Sequence, residues 1–213
     1  MIVSLMRCPA LRYFLYCICL SATCSPAHAQ SLGTDGAYYY IVSQLSGKVI
    51  DLPSQHYTQN GTQLQEYGAN QQWQQFWQFV LLSDGSFRIV NKLSGMAMEV
   101  PAQQLGSNGV VVQQWDVNEL YGGAQQMWQV VAVDSNGDYE LINEGSGKCL
   151  DLTGGYTQDT TPIQQWDCNG GTQQHWQLQK VSGVVSGVGY GAGAVFEMSR
   201  STSRDFLTRR TWP

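Results

Sequence analysis

The sequence predicts an all-β fold, closed or nearly closed on itself and built from three similar units. Three observations carry that expectation. Gln75-Phe76-Trp77, Gln126-Met127-Trp128 and Gln174-His175-Trp176 place their tryptophans 51 and 48 residues apart, a fixed period of the kind that marks repeat architectures. Short apolar or alternating runs are separated by Ser-Gly and Asn-Gly turns, the period-2 signature of strands. No stretch of the repeated region sustains a helical period. About four short strands per unit leave exposed edges that invite aggregation unless the sheet closes.

In chain order, residues 1–29 read as a secretory signal peptide. Arg7 and Arg12 supply its basic start, residues 13–20 its apolar run, and Ala27-His28-Ala29 an A-x-A site that predicts cleavage before Gln30. A bilayer span needs roughly 20 apolar residues, so the short run predicts a secreted protein, extracellular or periplasmic, without membrane insertion. Ser21-Ala22-Thr23 ahead of Cys24 makes a weak lipobox, which leaves lipid anchoring as a lesser alternative.

The three units, about 38–82, 83–133 and 134–181, repeat four features in one order. Each opens on an apolar run ending at Ser46-Gly47, Ser94-Gly95 or Ser146-Gly147. An acidic residue between apolar ones follows: Ile50-Asp51-Leu52, Met98-Glu99-Val100, Leu150-Asp151-Leu152. Then come Gln65-Glu66-Tyr67, Gln113-Gln114-Trp115 and Gln164-Gln165-Trp166, and last the Gln-x-Trp triplets. Asn60-Gly61 and Asn108-Gly109 are expected to form two-residue hairpin turns, which need φ > 0 at both positions. The third unit has Asp159-Thr160 there and is one residue shorter. Trp77, Trp128 and Trp176 are expected in the core, because they end a strand in every copy and a barrel needs large apolar anchors.

Aligned on the acid, Cys149 matches Val49 and Ala97, and Cys168 matches Ala69 and Val117. Two cysteines that appear in the same copy and are apolar in the others predict a disulfide, worth roughly 3 kcal/mol for a loop of about 20 residues. After Lys180 the chain turns glycine-rich and then basic, with Arg200, Arg204, Arg209 and Arg210, so 182–213 is expected to be a flexible tail rather than a second domain.

Composition narrows the function. The formal net charge is −5, and losing Arg7 and Arg12 with the leader makes it more negative. Without a Lys/Arg cluster the chain is a poor partner for nucleic acid, where affinity comes mainly from cation contacts. Only His56 and His175 remain beyond the leader, too few for a histidine-centred metal site, so no metal or cofactor is expected. Its 25 glutamines nearly equal its 11 basic and 16 acidic residues together, a surface of neutral amides.

The repeated triplets, each with its upstream acid and Gln-x-aromatic segment, resemble the ricin B-type lectin family, the (QxW)3 β-trefoil, over about Tyr38 to Val181. The resemblance implies a pseudo-threefold barrel of six strands capped by three hairpins, a disulfide within a subdomain, and up to one shallow sugar site per repeat. A sugar offers neighbouring hydroxyls and a face of C–H bonds, so a site needs a fixed acceptor, amides that donate and accept, and an aromatic plate. In the third repeat these are Asp151, Gln164, Gln174 and Trp166, with Gln173 beside them. In the first they are Asp51, Gln65, Gln75 and Tyr67, with Gln74. The second offers Glu99, Gln113, Gln126 and Trp115, with Gln125, and is the doubtful one. Its extra methylene pushes the carboxylate outward, and Glu119-Leu120-Tyr121 lengthen its loop. Two roles stand open for Gln75, Gln126 and Gln174: touching sugar, or bracing a turn in every repeat. The family commonly has Asn where this chain has Gln74, Gln125 and Gln173, which points to an altered hydroxyl arrangement or to degenerate sites.

The expected function is therefore non-catalytic recognition of a neutral sugar or polysaccharide. A glycosidase needs two carboxylates about 5–10 Å apart, whereas these acids come one per repeat, and no Gly-x-Ser-x-Gly or His-Glu-x-x-His motif occurs. The alternatives are a binding module derived from a polysaccharide hydrolase, or an inhibitor or interaction scaffold on the same barrel with degenerate sites.

Overall fold

A computed structural model describes residues 32–117 and 123–182. The signal peptide, Cys24, the inserted Glu119-Leu120-Tyr121 and the tail from 183 onward lie outside the described residues.

Among the described residues, thirteen short strands make the fold. The first repeat holds β1 (Tyr38–Ser43), β2 (Val49–Asp51), β3 (Gln65–Tyr67) and β4 (Trp77–Leu81); the second holds β5 (Phe87–Asn91), β6 (Ala97–Glu99), β7 (Val110–Val111), β8 (Gln113–Trp115) and β9 (Trp128–Ala132). The third holds β10 (Asp138–Asn143), β11 (Cys149–Leu152), β12 (Ile163–Trp166) and β13 (Trp176–Lys180). The expectation of a closed sheet holds: β1 pairs β4, β4 pairs β5, β5 pairs β9, β9 pairs β10, β10 pairs β13, and β13 returns to β1. Hairpins β2–β3, β6–β8 and β11–β12 cap that six-stranded barrel, one per repeat.

The closing tryptophans tie the two layers together. Trp77, Trp128 and Trp176 are wholly buried, and each indole Nε1 donates to the carbonyl before the acid, Ile50, Met98 and Leu150, at 3.0, 3.2 and 3.0 Å. Burying the ring supplies apolar contact, and the bond satisfies a polar atom that would otherwise be costly to bury. Each repeat contributes the same apolar positions around them, with Leu52, Val100 and Leu152 fully enclosed. Cys149 and Cys168 form the expected disulfide, fastening β11 to the loop after β12.

One local expectation fails. Asn60-Gly61 and Asn108-Gly109 do not make two-residue hairpin turns; they sit inside long loops between β2 and β3 and between β6 and β7, and only the glycines take positive φ. The asparagine amides are committed to the next repeat. Asn60 Nδ2 donates to Asp116 at 2.8 Å while Asp116 N donates to Asn60 Oδ1, and Asn108 and Asp167 repeat the exchange. Each loop begins with a single 3-10 turn, too short to leave a periodic mark in the sequence.

Candidate functional site

The hairpin register sets the site. Asp51 stands opposite Gln65, Glu99 opposite Gln113, and Asp151 opposite Gln164. Because side chains alternate across a strand, the first and third residues of Gln-Glu-Tyr and Gln-Gln-Trp share the acid's face. The middle residue points away. Gln114 and Gln165 are buried and donate Nε2 to carbonyls of the preceding repeat, Tyr57 and Gln59 at 2.8 and 2.9 Å, and Leu105 and Ser107 at 2.9 and 2.7 Å.

Each carboxylate is held by two glutamines, one per oxygen. Asp151 accepts from Gln164 at 2.7 Å and Gln174 at 3.0 Å; Asp51 accepts from Gln65 at 2.8 Å and Gln75 at 3.1 Å. Glu99 accepts from Gln113 at 3.1 Å and Gln126 at 2.7 Å, so its extra methylene does not break the arrangement. Burial pushes the Asp51 and Asp151 carboxyls above the ordinary value, and the glutamine donors pull back against it. The second glutamine of each pair is fully enclosed. Gln174 Nε2 also donates to the Asp167 carbonyl and its Oε1 accepts from Asn169 N; Gln75 does the same with Gly68 and Asn70. Gln126 Nε2 likewise reaches the Asp116 carbonyl.

Hollows open beside two of the acids. One of about 380 Å³ is lined by Asp151, Gly154, Gly155, Gln164, Trp166, Asn169 and Gln173. Another of about 340 Å³ is lined by Glu99, Ala102, Gln103, Gln113, Trp115, Asp116, Val117 and Gln125. Trp115 and Trp166 are both 41% exposed, against 0% for the three barrel tryptophans, so their faces are available to a ligand. Gly123 and Gly171 let Gln125 and Gln173 fold back toward these hollows, since a Cβ on either glycine would collide with the amide.

The first repeat brings together Asp51, Gln65, Gln75 and a 38%-exposed Tyr67, but its rim differs. Gln71-Gln72 stand where the third repeat has Gly170-Gly171, and Gln71 holds φ 61 where Gly170 holds φ 69. Gln72 carries a Cβ where Gly123 and Gly171 leave room for a folded-back amide. Gly68 replaces Asp116 and Asp167, and the acid moves to the opposing loop as Asp159, which accepts from Gly68 N and pairs with Lys48 at 2.7 Å.

Residues 37–176 match the ricin-type beta-trefoil lectin domain, with a second match over 137–201. The chain belongs to that family. Among solved structures, the lectin domain is 32% identical to ThreeFoil, a designed threefold-symmetric protein, over 68% of this chain and 99% of that one, with a TM-score of 0.62. An exo-beta-1,3-galactanase from Clostridium thermocellum is 33% identical over 70% of this chain, with a TM-score of 0.64, and the match spans 31% of the enzyme. The Macrolepiota procera ricin B-like lectin, solved with lactose, is 20% identical over 68% of this chain and 96% of its own, TM-score 0.55, a likeness of fold.

Sequence reasoning missed part of the lining of each hollow, Ala102-Gln103 and Gly154-Gly155. They lie three and four residues after the acid, where the first repeat has Ser54-Gln55. Three unlike pairs at one position give a repeat comparison nothing to detect.

Proposed function

We propose that this chain is a non-catalytic lectin that binds neutral, hydroxylated sugars at the hollows of its second and third repeats. One observation carries the reading: in both, an almost buried carboxylate held by two amides opens into a hollow walled by a half-exposed tryptophan. A carboxylate has about four lone-pair sites, so two amide donors leave it able to accept from adjacent hydroxyls, while the indole face takes the C–H side of the ring. Gln164 and Gln113 lie at the hollows and share in contact, together with Gln173 and Gln125. The enclosed Gln174 and Gln126 position the acid, as Gln75 does in the first repeat.

The match to part of a galactanase favours a second reading, in which the domain serves as the binding module of a polysaccharide-degrading enzyme. Export of the chain fits the Cys149–Cys168 disulfide, since such bonds persist in oxidising compartments. Shallow sites of this kind bind weakly one at a time, and two on one polymer raise apparent affinity by ~10²–10⁴.

A glycan array probed with the wild type, Asp151→Asn and Trp166→Ala tests the proposal. Loss of signal in both variants, with unchanged circular dichroism, supports the third-repeat site. Undiminished signal would move recognition elsewhere.

A further inference from the structure

The side chains that line each hollow come from its own repeat, but the preceding repeat packs against two of them. Gly61, in the loop of the first repeat, donates its N–H to the Gln114 carbonyl at 2.9 Å, which lays its backbone against β8. A Cβ there would stand 3.7 Å from both Gln113 Oε1 and Trp115 Cζ3. Gly109 repeats this one unit later: its N–H reaches the Gln165 carbonyl at 2.9 Å, and a Cβ would lie 3.5 Å from Trp166 Cζ3 and 3.8 Å from Gln164 Oε1. Both glycines therefore adjoin the amide and the ring edge that frame each hollow.

At the third seam the residue is Thr160. Its N–H donates to the Glu66 carbonyl at 2.9 Å and its φ is +70°, alongside +83° at Gly61 and +77° at Gly109. The matching backbone bond and dihedral give Thr160 a branched Cβ at the position where Gly61 and Gly109 have none, beside the strand that carries Gln65 and Tyr67. A β-branched residue in the left-handed region is a genuine outlier, held only where its surroundings enforce it.

We propose that Thr160 narrows the approach to the first acid–amide–aromatic set and that Gly61 and Gly109 keep the two hollows open, so that the residue after Asn60, Asn108 or Asp159 decides which repeats admit a sugar. This rests on the reading of the acid–amide–aromatic sets as sugar sites. It adds that the preceding repeat bears on the amide and ring of each set, and that at the first set this neighbour acts in addition to the altered rim.

The test uses the full chain and a panel of lactose, maltose, cellobiose and xylobiose, followed by saturation-transfer NMR. Glu99→Gln with Asp151→Asn silences the second and third sites, and Thr160→Gly is then added. The expected result is a first-site affinity gain of roughly tenfold, the scale on which one misplaced carbon in a pocket acts, with a melting temperature equal or higher. The reciprocal variant is Gly109→Asn, which restores a Cβ on a residue that tolerates left-handed φ. Placed with Asp51→Asn and Glu99→Gln, it should weaken third-site binding by a similar factor. Binding by the wild type that neither Thr160→Gly nor Gly109→Asn alters would overturn the aperture while sparing the lectin reading. A wild type that retains none of the four sugars would overturn both.

Discussion

The third repeat and the first hold the same carboxylate, the same pair of glutamine donors and the same buried tryptophan bonded to the carbonyl before the acid. Around that shared frame several rim positions differ: Trp166 against Tyr67, Gly170-Gly171 against Gln71-Gln72, Asp167 against Gly68, and a neighbouring Gly109 against Thr160. The comparison separates what the barrel requires from what a ligand requires. Bracing recurs because it closes the barrel, and rims diverge because nothing in the barrel depends on them.

The largest expected effect tests the shared half of that contrast. Trp77→Ala and Trp176→Ala should each destabilise the domain by about 3–5 kcal/mol, as large cavities do, whereas Trp166→Ala should leave denaturant midpoints nearly unchanged. A clear loss on Trp166→Ala would erase the distinction between barrel and rim tryptophans. Next, Asp51→Asn and Asp151→Asn should each cost about 1–3 kcal/mol, because the buried glutamine donors lose a charged acceptor. Only Asp151→Asn should also abolish third-site sugar binding by NMR titration.

A smaller effect lies at the seam between these two repeats. Glu66 occupies the position where Gln114 and Gln165 donate to the neighbouring loop; a carboxylate cannot donate. It is fully enclosed, its Oε2 accepts from Ser46 Oγ at 2.6 Å, and its Oε1 has no hydrogen-bond partner among the described residues. Burial raises its pKa above the ordinary 4.5, partly opposed by Ser46 and Lys48. A raised carboxyl favours the fold while protonated, so its contribution is present below pH 4.5 and lost as pH rises through the higher folded value. Glu66→Gln should therefore stabilise by roughly 1 kcal/mol near neutrality, with the gain shrinking on acidification, as urea melts at several pH values would show. The smallest change, Gln71→Gly, relieves a left-handed glutamine and should stabilise by up to ~1 kcal/mol; Gly170→Gln should cost a similar amount.

Much of this was legible because the chain writes itself three times. Trp77, Trp128 and Trp176 announced the barrel, and Cys149 with Cys168 announced a disulfide by appearing in one copy alone. Burial was not legible in the same way. Gln164 and Gln174 are the same residue type at equally regular positions, yet one borders a hollow and the other is sealed beneath it. Asn60-Gly61 was misread because its partner, Asp116, belongs to the next repeat, and a turn motif says nothing about contacts at that range. The approach of Gly61 and Gly109 to the amide and ring of the next repeat was hidden for the same reason.

The central claim is that sugars sit on the rim tryptophans of the second and third repeats, anchored by their braced carboxylates. The indole N–H signals report this directly, because Trp77, Trp128 and Trp176 are tied to Ile50, Met98 and Leu150 while Trp115 and Trp166 face solvent. Titrating a ¹⁵N-labelled chain with a bound disaccharide should move the Trp115 and Trp166 signals and leave those three in place. Asp151→Asn should remove the shift at Trp166 alone, and in the wild type that shift should fade on acidification at a pH above the ordinary 3.8 of an aspartate. Saturable binding that leaves both rim indoles unmoved would contradict the account.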